Sequence, residues 1–347
     1  MGNTKHLLVI RLSAMGDVAM MVPVIKSLLD SYPNLKITVL TKGAFRPIFK
    51  GLDNITVHVA DVTGTHKGIG GLWKLYKELQ ALQLDAVADL HNVLRSNALK
   101  LLFRLNRTPF VQIEKGRKEK KALTTVKNKV FAPLKSTHQR YVDAFNELGF
   151  SFSLPDANFL NRNVLSEKAL KIVGSDNRKW LGIAPFAAFS GKMYPQHLMR
   201  EVVQELNNTN KYKIFLLGGG AKEKGLLDKW EIESQSCINL IGKLSFDEEL
   251  ALISNLDLML SMDSSNAHLA AMYGVPIVSL WGVTHPFAGF YPYGQDPGNA
   301  LLADRNSYPL IPTSIYGNKL PKGYESVMET IQPNDVVSKI NRLLNKK

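Results

Sequence analysis

Short apolar runs alternate with stretches of helical periodicity along this chain, and the alternation runs its course twice. In the first half, His6–Leu12, Lys36–Leu40, Thr56–Val59, Asp85–Leu90 and Pro109–Ile113 read as strands. Between and after them, Val18–Ser31, Leu72–Leu82, Ser96–Leu105 and Gln139–Leu148 space their apolar residues along one helix face. Strand, helix and strand in that rhythm imply parallel pairing through right-handed crossovers, so an α/β doubly wound sheet is expected. Gly149–Lys179 breaks the rhythm. Pro155, several asparagines and weak periodicity read as a connection with one short helix near Ser166–Val173. The alternation then restarts, with strands at Trp180–Ala184, Lys213–Leu217, Ile238–Leu240, Leu258–Ser261 and Ile277–Trp281. Helices are expected at His197–Leu206, Lys222–Trp230, Phe246–Ser254, Ser265–Met272 and finally Asn334–Leu344, with Phe287–Tyr324 as long loops. At roughly 150 residues per domain, 347 residues suit two. The expectation is two Rossmann-like domains, 1–160 and 161–330, whose strand ends face across a cleft, and a segment 331–347 that packs back as a helix.

Composition narrows the setting. Cys237, the one cysteine, excludes an internal disulfide and a multi-thiolate zinc site, and it suits a reducing compartment. The apolar run Leu7–Leu29 is interrupted by Arg11 and Asp17, no small-residue cleavage site follows, and His6 stands where a myristoylation signal needs Ser or Thr. A soluble, cytoplasmic protein is expected. With 43 Lys+Arg against 30 Asp+Glu, the formal charge is +13, which favours an anionic partner. The excess is densest from Lys115 to Lys135, where Glu119 is the lone acid and Phe131 the lone aromatic residue. Without aromatic interleaving the segment lacks the stacking surface of a nucleic-acid binder, so phosphate or lipid headgroups are the expected partners.

Four constellations can carry chemistry. In Arg11-Leu-Ser13-Ala-Met-Gly16-Asp17-Val18 a strand runs into a tight turn and a helix; Asp17 is a helix cap on one reading and a general base on the other. In Leu258-Met-Leu-Ser-Met-Asp263-Ser264-Ser265-Asn266-Ala267-His268 a strand ends on an Asp and two hydroxyls open a helix, a ready anion site. A plain Ser/Asp cap with a core-facing His268 is the alternative. Its continuation Trp281-Gly282-Val-Thr284-His285-Pro286 ends another strand at the same face. Phe215-Leu-Leu-Gly218-Gly219-Gly220-Ala-Lys-Glu223 turns on three glycines, which let backbone crowd a ligand. Lys192, in Ser190-Gly-Lys192, can neutralise a phosphate or be an ordinary solvated loop lysine. No Asp-x-Asp pair, GxxxxGK[ST] loop, GxGxxG fingerprint or GxSxG elbow occurs.

The arrangement Arg11-Leu-Ser-Ala-Met-Gly16-Asp17-Val18 followed by Pro23, with Asp263-Ser264-x-x-x-His268-x-Ala270-Ala271-x-x-Gly274-x-Pro276 and Trp281-Gly282-x-Thr284-x-Pro286, resembles family 9 glycosyltransferases, the bacterial lipopolysaccharide heptosyltransferases. The resemblance implies a GT-B fold, with the acceptor on domain 1–160 and the nucleotide sugar on domain 161–330. It implies an inverting, metal-independent transfer from ADP-L-glycero-β-D-manno-heptose to the lipopolysaccharide inner core, with no cofactor. By position, Asp17 resembles the general base and Lys192 the lysine on the donor diphosphate. Asp263 resembles the donor-heptose contact, with Ser264, Ser265 and His268 in its helix-opening segment, and Glu223 the ribose contact. Ser190, Gly219, Gly220 and Thr284 complete the implied donor set. Arg11, Ser13, Arg95, Lys118 and Lys121 form the implied acceptor side. A phosphorylated, lipid-linked acceptor would account for +13 through peripheral contact with the anionic inner leaflet of the inner membrane. A monomer without nucleic acid is expected. The chain departs from the family pattern at Ser265, where Gly is usual, and in Ala187-Ala188-Phe189-Ser190, where only Ser190 offers a hydroxyl.

Other readings remain at this point. A relative could use a different nucleotide sugar. A sugar-nucleotide epimerase or hydrolase of the same fold would make product without an acceptor. A basic surface-binding protein would bind polyanions with no affinity for a nucleotide sugar.

Overall fold

The apolar runs become buried parallel strands because both of their faces are covered by crossover helices. The computed structural model describes residues 5–345; residues 1–4 and 346–347, at the ends of the first and last expected segments, lie outside the described residues. The chain divides into two compact units, Met1–Lys115 with Ser136–Leu160 and Gly116–Lys135 with Asn161–Lys347.

The first unit is built on β1 (His6–Ile10), β2 (Lys36–Thr41), β3 (Ile55–Val59), β4 (Ala86–Asp89) and β5 (Phe110–Gln112), in the order β3-β2-β1-β4-β5. All are parallel; Ile10 at the end of β1 lies between Leu40 and Asp89. On one side of the sheet, Leu8, Ile10, Leu40 and Val87 meet Leu75, Leu79, Leu99 and Phe103 from helices Gly68–Gln80 and Leu94–Leu105. The helix expected over 18–31 is two helices, Met15–Ala19 and Met21–Ser31. Pro23 lacks the N–H that would reach the Ala19 carbonyl, so the chain bends at Met20 and Pro23 falls in the first turn of the second helix.

The second unit carries β6 (Lys179–Ala184), β7 (Tyr212–Leu216), β8 (Cys237–Asn239), β9 (Leu258–Met262), β10 (Ile277–Trp281) and β11 (Ala300–Leu302), in the order β11-β10-β9-β6-β7-β8. β11 falls inside the segment expected to be loop; it is a three-residue edge strand against Ser279–Trp281, too short for any periodicity to show. The core joins Ile183, Leu260 and Leu280 to Val202 and Leu206 of helix Gln196–Asn208, and to Val336 and Ile340 of the final helix Pro333–Asn345.

Residues 116–135, which a single boundary at 160 would leave with the first domain, belong to the second unit. Gly116 adopts a left-handed conformation (φ +64°) that starts an unexpected helix, Arg117–Thr124. Lys129 Nζ donates to the carbonyls of Leu123, Leu310 and Pro312 at 3.1, 2.7 and 2.7 Å. Arg305 stacks on Phe131 at 3.5 Å, and Leu134 N–H donates to the Phe287 carbonyl. Among the described residues no helix is long and apolar enough to cross a membrane.

In each sheet the chain builds outward from one strand and then returns to build from its other side. The reversal falls between β1 and β4 in the first unit and between β6 and β9 in the second. Ligands of doubly wound sheets bind beyond the carboxyl ends of strands at such a reversal.

Candidate active site

Just beyond the β1–β4 reversal lies a compact polar group. Arg11 leaves β1 buried, and its guanidinium donates to the Leu90 carbonyl and pairs with Asp17 Oδ2, both at 2.5 Å. Asp17 is the third residue of helix Met15–Ala19, and the same Oδ2 accepts the Ala14 N–H at 3.2 Å. The cap is therefore Ala14, and Asp17 reaches back to it. Both contacts fall on Oδ2. From the far end of the unit, the Tyr141 hydroxyl donates to the Asp17 carbonyl at 3.1 Å. Burial holds that phenol far above its ordinary range, so it stays a neutral donor.

His91, two residues beyond β4, was not among the expected site residues. Its Nδ1 accepts the Leu12 N–H at 3.4 Å and its Nε2 lies 3.3 Å from Ser13 Oγ. Burial, with the nearby Arg11 charge, pushes the imidazole down to about 4, so it is neutral at pH 7. The pattern assigns the proton to Nε2, which donates to Ser13. Asp89 fixes the turn that delivers His91, with Oδ1 accepting the His91 and Asn92 N–H groups at 2.9 Å each. The available signal was position: His91 ends the same kind of apolar run, at the neighbouring strand, as Arg11 does. Arg95 is half-buried in the first turn of helix Leu94–Leu105.

A second polar group stands at the β6–β9 reversal. Lys192 closes a short 3-10 turn after β6, Asp263 follows β9, and Lys192 Nζ lies 3.1 Å from Asp263 Oδ2 with both side chains mostly buried. Close backbone packing sets that turn: Val283 N–H donates to the Gly191 carbonyl at 2.9 Å, and a Cβ at Gly191 would meet Val283 Cγ2 at 2.6 Å. Gly317, also not among the expected residues, lies over the aliphatic stem of Lys192. Its φ is +83°, and a Cβ there would run into Lys192 Cγ and Cδ. In the sequence it looks like any turn glycine.

Ser264 caps helix Ser265–Ala271 from a backbone position and shares a 3.0 Å contact with Ser261 Oγ. Ser265 is half-buried at the first helical position, and His268 is buried in the same helix. Thr284, beyond β10, is fully buried, and among the described residues its hydroxyl has no hydrogen-bond partner. Such an orphan costs stability in the free protein and is free to serve a ligand. Ser190 is exposed. Gly219 and Gly220 follow β7, the strand beside β6, and Glu223 Oε2 accepts the Gly219 N–H at 2.7 Å. One Glu223 oxygen thus braces the glycine turn.

The structure therefore gathers Arg11, Ser13 and Asp17 with His91 in the first unit, and Lys192 with Asp263 in the second. Lys118 and Lys121, expected on domain 1–160, stand exposed on helix Arg117–Thr124 of the second unit. The placement differs because the chain leaves the first unit at Gly116 and returns at Ser136; the basic run Lys115–Lys135 coincides with this detour, but charge alone does not say which unit it packs on.

The profile of glycosyltransferase family 9 (heptosyltransferase) matches residues 72–311. The chain is 26% identical over 288 residues to the lipopolysaccharide core heptosyltransferase OpsX of Haemophilus influenzae, a match covering 81% of this chain and 80% of that one. A family 9 glycosyl transferase from Veillonella parvula superposes with a TM-score of 0.76 at 20% identity, over 100% of this chain and 99% of the other. The E. coli heptosyltransferase WaaC, solved with ADP, superposes with a TM-score of 0.69 at 18% identity, over 97% and 99%. At those identities the two superpositions establish a common fold.

Proposed function

Because the chain belongs to glycosyltransferase family 9, we propose that it moves a heptosyl group from an ADP-linked donor to a hydroxyl of the lipopolysaccharide core, with inversion and without a metal. The observation that carries this reading is the Lys192–Asp263 pair at the sheet reversal of the second unit. A mostly buried ammonium held by one carboxylate is suited to a diphosphate. Asp263 then serves sugar hydroxyls, and the orphan Thr284 hydroxyl gives the donor one more hydrogen bond. The ADP in the WaaC structure supports the choice of nucleotide.

The chemistry follows from which atoms are engaged. Arg11 and Ala14 hold Asp17 through Oδ2, so Oδ1 takes the proton from the acceptor hydroxyl. The resulting oxygen attacks the anomeric carbon from the face opposite the nucleotide. The bond from that carbon to the β-phosphate oxygen breaks, and its electron pair leaves on ADP. Lys192 meets the charge that develops there, the part a divalent cation plays elsewhere. Ser13, oriented by His91, and Arg95 serve the acceptor side. Because the acceptor is lipid-linked and phosphorylated, the reading includes peripheral contact with the anionic cytoplasmic leaflet, made by a monomer.

Thermal unfolding with ADP, UDP, GDP, CMP or NAD tests the donor assignment. A ligand present at about 100 times its Kd adds roughly 2.7 kcal/mol of stability. Selective stabilisation by ADP, lost in Lys192→Ala, is the expected result. Selective stabilisation by another nucleotide would keep the transferase and move its donor, and silence across the panel would overturn the reading.

A further inference from the structure

Helices Gly68–Gln80 and Leu94–Leu105 pack side by side on the first unit. Tyr76 meets Phe103 edge-on, and Asn106 donates to the Tyr76 hydroxyl at 2.7 Å. Their inner faces supply core, and their outer faces set large apolar side chains among Lys74, Lys77, Gln80, Asn97 and Arg104. Leu94, Leu101 and Leu105 fall within about 40° of one line along their helix, and they are 88%, 64% and 73% exposed. On the neighbouring helix, Ile69 and Trp73 are one turn apart and 89% and 50% exposed.

Cations frame this apolar surface. Lys77 Nζ lies 5.2 Å from the Trp73 ring centroid, Lys74 follows Trp73, and Arg95 and Arg104 flank the leucine row on opposite sides. Glu78 is the one acidic residue of the two helices, and its carboxylate is turned to His58 and His66. Scattered exposed leucines need no explanation, but five large apolar side chains on adjacent helices do.

We propose that the outer face of this helix pair is where the first unit rests on an anionic lipid bilayer. Leucines and Ile69 enter the acyl boundary, Trp73 sits at headgroup depth, and the flanking cations meet lipid phosphates. Charge complementarity decides the occupant: a protein partner could cover the leucines, but a rim carrying cations without free carboxylates fits a sheet of phosphates. The assignment rests on the reading that the acceptor is membrane-borne, and it goes further by naming the face.

The test is flotation of the full chain with vesicles of phosphatidylglycerol in phosphatidylethanolamine, against phosphatidylcholine alone. Trp73 is the one exposed tryptophan of four, so its emission should shift to the blue on anionic vesicles, and Trp73→Phe should abolish the shift. Leu101→Gln with Leu105→Gln should weaken partitioning about tenfold or more per leucine, while stabilisation by ADP is unchanged. Salt at about 1 M, where screening acts within roughly 3 Å, should release most of the bound protein. Undiminished partitioning of the double variant, an unshifted Trp73, equal binding to phosphatidylcholine, or no binding would each overturn the proposal. So would a dimer that the same two substitutions dissociate, which would make this face a contact between copies. The tryptophan measurement stands alone if the double variant fails to fold. Vesicle binding without any response to ADP would count against the sugar-transfer reading and leave this one standing.

Discussion

At the scale of single residues, the proposed reading separates groups that would do chemistry from groups that hold them. Asp17→Asn should keep the helix start and donor binding but lose the proton acceptor, so turnover should fall about 10²–10⁴-fold. Full turnover in that variant would reduce Asp17 to a partner of Arg11 and Ala14. Gly317→Ala tests support rather than contact with substrate. A methyl group at φ +83° is strained, and this one points into the Lys192 stem. A loss of about 1–3 kcal/mol in unfolding free energy is expected, together with weaker ADP stabilisation. The strands that precede Asp17, Lys192 and Asp263 were legible in the sequence because each is an apolar run. The position of His91 after such a run was legible too, but its contacts with Leu12 and Ser13, and the packing of Gly317 on Lys192, were not, because they join segments far apart in the chain.

Elements were legible in proportion to how much apolar surface they bury. Pro333–Asn345 shows its spacing openly, since Val336, Val337, Ile340 and Leu344 all face the core. Ile340→Ala, at a fully buried position, should cost about 2–5 kcal/mol in denaturant unfolding. A cost below about 0.5 kcal/mol would mean that the helix is not part of the second unit's cooperative core. Helix Arg117–Thr124 escaped notice for the converse reason. It buries only Lys120 and Leu123, and Lys120 does so by laying its ammonium 4.4 Å from the Phe290 ring centroid. A basic stretch with so little apolar content reads as a solvated loop until its partner surface is known.

For the whole molecule, each unit holds a buried histidine that lowers stability as the pH falls. Burial pushes His91 in the first unit down to about 4, and burial with the Arg305 charge does the same to His285 in the second. The unfolded imidazoles take up protons below about 6.5, the folded ones only below about 4. The unfolded state therefore binds more protons between those values, and stability falls as pH drops through that window. Each histidine contributes about 3 kcal/mol to the fall at about 1.4 kcal/mol per pH unit. Glu249, pushed up to about 7 by burial, acts the other way between about 4.5 and 7, one group against two. Melting temperatures should decline from pH 7 to pH 4.5, and His285→Gln should flatten the decline; a flat wild-type profile would contradict the burial of these rings. The doubly wound sheets and the GT-B fold shared with the solved relatives were already implied by the alternation of apolar runs and by the resemblance. The exchange of segment 116–135 was not: the basic run Lys115–Lys135 coincides with it, but charge alone does not say which unit such a run packs on.

That exchange bears on how such enzymes can be recombined. The backbone passes between the units three times, after Lys115, after Lys135 and after Leu160. A chimaera joined at residue 160 would import a foreign 116–135 to dock on resident carbonyls at Leu310 and Pro312 and on Arg305. The first unit is therefore not a cassette with one cut site. A graft that replaces 1–115 and 136–160 while keeping the native 116–135 preserves the inheritance of each unit, and it is the form in which halves from different relatives should remain soluble together.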